Sequence, residues 1–136
     1  MKILIDTNVV IDILTNRNQF VQDSYNALQI ILEKHTACVS TTTITDAVYI
    51  TKKAFSDSDE QKLKLSVFFS KFKILSVTKK QITQAFSSPM KDFEDAVQAF
   101  CAKKVGAKII ITRNTKDYAL SPIKAITPTD FLQNTE

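Results

Sequence analysis

Two short apolar runs constrain this chain more than anything else in it. Lys2 to Ile5 ends abruptly at Asp6, and Lys108 to Ile111 ends at Thr112-Arg113-Asn114. Runs this short, with no polar alternation, are what strands covered on both faces look like. Between them the spacing turns helical. Val21, Tyr25, Leu28 and Leu32 fall on one side of a helix running through Lys34, and Leu65, Phe68, Phe69 and Phe72 mark another. Ala37 to Ser40 and Lys73 to Val77 are further strand candidates, and Lys79 to Phe86 is a short helix. Thr41-Thr42-Thr43 offers N-caps for a helix carrying Asp46. Asp92 to Lys104 is a helix stopped by Gly106, and Thr127-Pro128-Thr129-Asp130 opens a small terminal one. Ser56 to Asp59 is expected to be a turn between helices. Strands alternating with helices predict an α/β fold: four to five short parallel strands covered by helices on both faces.

The chain has 136 residues, 44% of them hydrophobic, which suits one domain spanning residues 1–136 with a real core. Its single glycine, Gly106, rules out phosphate-cradling loops, which need several, and with them kinases, P-loop ATPases and dinucleotide-binding dehydrogenases. No apolar stretch approaches the roughly 20 residues that span a bilayer, so no membrane association is expected and the cytoplasm is the default location. Cys38 and Cys101 stand far apart without a C-x-x-C partner and are expected to be buried, reduced thiols. His35, the one histidine, is expected at a solvated helix end. A net charge of +4 permits a polyanionic partner such as nucleic acid. The lysine pairs at 52–53, 79–80 and 103–104 are scattered, so the fold would have to assemble any phosphate-binding face.

The acids carry the chemistry. In an open parallel sheet, ligands sit beyond the carboxyl ends of the strands, near the point where strand order reverses. Asp6 follows the first strand directly; Asn114 and Asp117 follow the strand at Lys108 to Ile111. If those strands are neighbours, both ends line one cleft. Asp46 and Asp95 fall in the first turns of helices that start at the same edge. Asp95 shares its helical stripe with Ala99 and Ala102, while Phe93, Val97 and Phe100 form the expected core stripe. Structural roles compete with this reading. Asp92 suits an N-cap and Asp95 an acid favoured by the helix dipole, and Thr43 to Asp46 resembles a capping box. Asp6 has no evident cap to make. Converging carboxylates repel unless a cation joins them, and oxygen donors without paired His or Cys point to Mg²⁺ or Mn²⁺. Such ions serve phosphodiester hydrolysis.

Three stretches, ILIDTNVVIDIL from Ile3, DFEDAVQAFCAKKVGAKIIITRNTKDY from Asp92 and AITPTDFL from Ala125, together resemble the PIN-domain family, above all its toxin-type ribonucleases. The likeness runs through essentially the whole chain in order and spacing. It implies a metal-dependent endoribonuclease using Mg²⁺ or Mn²⁺ and an attacking water, leaving a 5′-phosphate and a 3′-hydroxyl. By the resemblance Asp6, Asp46 and Asp95 match metal-binding acids, and Thr7, Asn8 and Thr112 match small polar residues that position acids or substrate. Asp46 stands where the family more often has Glu. Asn114 stands where many members carry a fourth acid, which Asp117 or Asp92 would replace.

The resulting expectation is an endoribonuclease in which Asp6 and Asp95 hold the metal. Asp46 orients the water, Asn114 or Asp117 completes the site, and Arg113 with nearby lysines holds phosphates. The family adds a protein antitoxin as partner. The aromatic segment Lys62 to Phe72 is a candidate homodimer or antitoxin interface, with core packing its alternative use. The rival reading is a catalytically weak PIN-fold module that binds RNA or protein; a phosphotransfer role for Asp6 lacks the accompanying acids.

Overall fold

The computed structural model describes residues 1–16 and 19–134. Its strands are β1 (Lys2–Ile5), β2 (Thr36–Ser40), β3 (Lys73–Leu75), β4 (Ile109–Ile111) and β5 (Lys124–Ile126). The helices are α1 (Thr7–Thr15), α2 (Val21–Lys34), α3 (Thr41–Thr51), α4 (Ser58–Phe69), α5 (Lys79–Phe86), α6 (Phe93–Val105) and α7 (Pro128–Gln133). The strands form one parallel sheet in the order β3-β2-β1-β4-β5. The chain builds outward from β1 to β3, then returns to the other side of β1 for β4, so strand order reverses between β1 and β4.

The apolar runs alternate faces, as the twofold period of a strand requires. Ile3 and Ile5 of β1, Ala37 and Val39 of β2 and Ile111 of β4 share one core with α1, α2 and Phe131 of α7. Leu4, Cys38 and Ile110 face the other way, into a core built with α5 and α6. The apolar residues of β1, β2 and β4 are therefore covered whichever way they point, which is why β1 and β4 read as continuous apolar runs. Both cysteines are buried and free. Among the described residues no helix is long and apolar enough to cross a membrane.

Several local expectations are corrected. The covered stripe of α2 is Ser24, Ala27, Leu28 and Ile31; Tyr25 is exposed, because the alanine lets the helix approach the sheet one position round from the bulky side chains. In α6 the buried positions are Ala96, Val97, Gln98, Ala99, Cys101 and Ala102, while Phe93 lies exposed against Phe86. Small residues again win the close contact with the sheet. Ser40, not the threonines after it, caps α3, its side chain accepting from Thr43 N at 3.3 Å. His35 ends α2 half-buried, with its ring edge-on to Phe131 at 6.5 Å, and so is not a freely solvated terminus. Phe69 and Phe72 are buried and Phe68 packs on both, giving the aromatic segment a core use, although Leu63 and Val67 remain exposed.

Candidate active site

Asp6 is the hub of the site. The β1–β4 ladder continues one residue past the strands, with Asp6 N donating to Ile111 O at 2.9 Å, and this fixes Asp6 at the carboxyl end of two adjacent strands. The chain then turns directly into α1, and Asp6 is its N-cap, accepting from Thr7 N at 2.8 Å. The sequence reading found no cap for Asp6 to make; this helix, which it did not anticipate, supplies one.

At 3% exposure, an ionised Asp6 has to be compensated by donors. Oδ1 accepts from Thr7 N and from Gln98 Nε2, the latter at 3.1 Å. Oδ2 accepts from Thr112 Oγ1 at 2.8 Å, Tyr118 Oη at 3.1 Å and Asn8 Nδ2 at 3.3 Å. Thr112, fully buried, also accepts from Asn8 Nδ2 and Asn114 N, both at 3.1 Å. Asn8 Oδ1 in turn accepts from Arg113 N. On the far side, Thr7 and Thr43 share a hydroxyl contact of 2.8 Å, and Gln98 Nε2 donates to Thr43 at 3.0 Å. Thr7, Asn8 and Thr112 thus hold the acid.

Asp95 faces Asp6 across the tyrosine hydroxyl, with Tyr118 Oη 3.4 Å from Asp95 Oδ1. One phenolic proton serves two carboxylates. Burial first, then the charges of Asp6, Asp92 and Asp117, push Asp95 up to about 7, and the bond from Tyr118 offsets this in part. Burial and the two neighbouring carboxylates likewise push the Tyr118 hydroxyl up, so it stays protonated and able to donate. Asp92 does cap α6, accepting from Asp95 N at 2.9 Å, and it also lines the same cleft. Asp46 lies in the second turn of α3, beyond any capping position; the capping-box alternative falls away.

The cleft these residues line has a volume of about 540 Å³. Asp46, Asn114 and Asp117 border it alongside Asp6 and Asp95, so the structure brings every acid singled out from the sequence to one opening. Asp117 sits on a short 3₁₀ turn, Thr115–Tyr118, that follows β4. Glu94, which sequence reasoning passed over, lines the cleft too; burial and the charges of Asp46, Asp92 and Asp6 raise its pKa. Six carboxylates against one arginine make the opening strongly acidic. As placed, no three His, Cys, Asp or Glu side chains among the described residues are close enough together to hold an ion.

Arg113 departs from expectation. Its guanidinium is engaged by the fully buried Asp12, with Nε and Nη2 donating at 2.5 and 3.4 Å, and it lies 4.2 Å from the centre of the Phe20 ring. Among the described residues no lysine lines the cleft. Gln98 and Tyr118 were also missed. A glutamine within an alanine-rich helix and a tyrosine after a loop carry no charge signature, and their importance shows only once Asp6 is seen to be buried. Gln98 Oε1 is itself buried without a hydrogen-bond partner.

The sequence profile of the PIN domain matches residues 2–116. The chain belongs to the PIN-domain family. Ribonuclease VapC1 of Aquifex aeolicus (strain VF5) is 30% identical over 143 residues, covering 97% of this chain and 94% of the relative. Among solved structures, VapBC2 from Rickettsia felis bound to a promoter DNA fragment superposes with a TM-score of 0.72 at 17% identity, covering 93% of this chain and 98% of that one. A toxin–antitoxin complex from Klebsiella pneumoniae gives 0.70 at 24% identity, covering 92% and 96%. At these identities the structural likeness speaks for the fold.

Proposed function

We propose that this PIN-domain chain is a divalent-metal-dependent endoribonuclease, the toxin of a toxin–antitoxin pair working in the cytoplasm, with Mg²⁺ or Mn²⁺ as its ion. One observation carries the reading: a buried Asp6, held by five donors, shares the Tyr118 hydroxyl with Asp95 in a cleft lined by six acids among the described residues. The donor set fits a hard cation, being carboxylate and amide oxygen with no sulfur or imidazole, and Gln98 Oε1 has an acceptor's capacity unspent. Asp6 and Asp95 would hold the ion, with Asp46 and either Asn114 or Asp117 completing its surroundings. When bound, such an ion supplies charge neutralisation for the phosphate and a more acidic water.

The chain's own residues do the rest. Thr7, Asn8, Thr112 and Gln98 hold Asp6 in one orientation, and Tyr118 keeps Asp95 beside it. Asp46 and Glu94, which line the cleft, would accept a proton from an attacking water. Arg113, braced by Asp12, is the one cationic side chain among the described residues that line the cleft, and it orients a phosphate. The antitoxin role of the partner rests on the Klebsiella complex; a homodimer would use the exposed Leu63 and Val67 of α4.

The test is cleavage of mixed RNA by wild type and Asp95→Asn, each with Mg²⁺, Mn²⁺ or chelator. Discrete metal-dependent cuts with 5′-phosphate ends, lost in the variant, are the expected result. The neutral, exposed Asn114 favours one competing reading, a non-cleaving module. Metal-titration calorimetry decides between them, because that module needs no competent ion site.

A further inference from the structure

Arg113 has a second side. Beyond it lies another cavity, of about 270 Å³, lined by Phe20, Asp23, Ser24, Thr127, Pro128 and Arg113 itself among others, so one guanidinium forms a wall of both the acidic cleft and this recess. Two observations show polar capacity here that the protein does not use. Ser24 is 1% exposed and its hydroxyl has no hydrogen-bond partner among the described residues, a rare condition for a buried polar group. Independently, Phe20 is the N-cap of the 14-residue α2 and its side chain cannot cap, so among the described residues the first-turn N–H groups gain no acceptor from the N-cap side chain.

The chemistry of the lining selects the occupant. Asp23 adds a carboxylate to the recess, whose one cation among the described residues, Arg113, is shared with the acidic cleft, so the recess holds no cation of its own for a second phosphate. It offers donors (Ser24, the α2 N-terminus, the Gln19 amide) beside an acceptor, Asp23, one of whose oxygens takes a hydrogen bond from Thr129 at 2.5 Å. Phe20 and Pro128 supply apolar surface, and the guanidinium is fixed between Asp12 and the Phe20 ring. Mixed donors and acceptors, a planar cation and an aromatic ring are how proteins hold and read an unstacked base.

We propose that this recess is a base-recognition subsite, taking the splayed-out base of a nucleotide beside the cleaved bond, with Ser24 and Asp23 as specificity-determining residues. The proposal rests on the ribonuclease reading for its substrate but on separate residues for its selectivity. Arg113 then sits between the scissile phosphate on one side and the recognised base on the other.

The experiment is cleavage of a randomised RNA pool with Mg²⁺ or Mn²⁺ by wild type, Ser24→Ala and Asp23→Asn, sequencing the ends. Wild type is expected to favour one base at a fixed position beside the cut, and each variant to relax that preference by about tenfold, the scale of one well-made base contact. Metal affinity by calorimetry should stay unchanged in both. A base profile identical in the wild type and both folded variants overturns the proposal. So does loss of affinity for a protein partner with the RNA profile intact, which would give the recess to that partner. A second measurement separates the two readings: amide NMR shifts of Val21 to Ser24 on adding each of the four nucleosides. A selective response at these amides in a protein that cuts nothing would sink the nuclease reading and keep the subsite. Cutting without base preference and without such shifts would do the reverse.

Discussion

Asp95→Asn should make the metal-free protein more stable at about pH 8 while destroying its ability to bind metal. The acid titrates near 3.8 in an unfolded chain and at about 7 in the folded one. Between those values the native state holds a proton that the unfolded state has released, so native stability falls as pH rises through this window and the loss is complete above about 7. Three units at ~1.4 kcal/mol each set a ceiling of ~4 kcal/mol, and relaxation around a half-buried group brings the expected loss to about 2 to 3 kcal/mol. An asparagine, shaped like the neutral acid, escapes that penalty. Urea denaturation in chelator, followed by circular dichroism, reads it directly: the variant's advantage should be absent near pH 4 and reach its maximum near pH 8. Adding Mn²⁺ at pH 8 should stabilise only the wild type. A stability difference that does not vary with pH, or a variant less stable at pH 8, would refute the claim that burial, reinforced by the neighbouring carboxylates, raises the Asp95 midpoint.

Tyr118→Phe removes the donor shared by Asp6 and Asp95. It should cost the metal-free protein about 1 to 2 kcal/mol and move the Asp95 midpoint above its present value, read by carboxyl carbon NMR; an unmoved midpoint counts against the contact. Gln98→Leu should lower Mn²⁺ affinity about tenfold or more in calorimetry by freeing the orientation of Asp6, and undiminished affinity would make Gln98 a packing residue only. Asp12→Ala takes the buried partner from Arg113, an expected loss of about 3 kcal/mol in urea unfolding; a loss below about 1 would place the pair with ordinary surface bridges. Gly106→Ala should cost about 1 kcal/mol in the same assay through backbone conformation alone, because φ is +74° and a Cβ there would meet nothing within 4 Å.

The central pairing was legible because β1 and β4 are buried on both faces, so their apolar runs end where the sheet ends and the polar residues after them fall at its edge. The acids were legible because a charge placed directly after such a run needs a reason. Helix α1 was not. Its apolar residues Val9 to Ile11 continue the strand's run with no turn between, and Asp6 serves at once as strand end, helix cap and hub. Strand β5, three residues long and partly exposed, leaves no pattern to read. The helix faces were misjudged where bulk was taken as the guide to burial. Against a twisted sheet, Ala27, Ala96 and Ala99 reach the contact first, and Tyr25 and Phe93 are left outside. Gln98 and Tyr118 depend on geometry that no linear spacing encodes.

Asp6 reaches its final surroundings only with help from the far end of the chain. Thr112 and Tyr118, two of its five donors, lie more than a hundred residues downstream, and β1 lacks a neighbour on one side until β4 arrives. During synthesis the first acid of the site is made well before Thr112 and Tyr118, and its cage closes only after four of the five strands exist. A growing chain still attached to the ribosome thus carries scattered carboxylates and no finished cutting centre. A protein built to cut RNA gains from this order of assembly, since the machine making it is itself RNA-rich and stays out of danger until Thr112 and Tyr118 have emerged and folded onto Asp6.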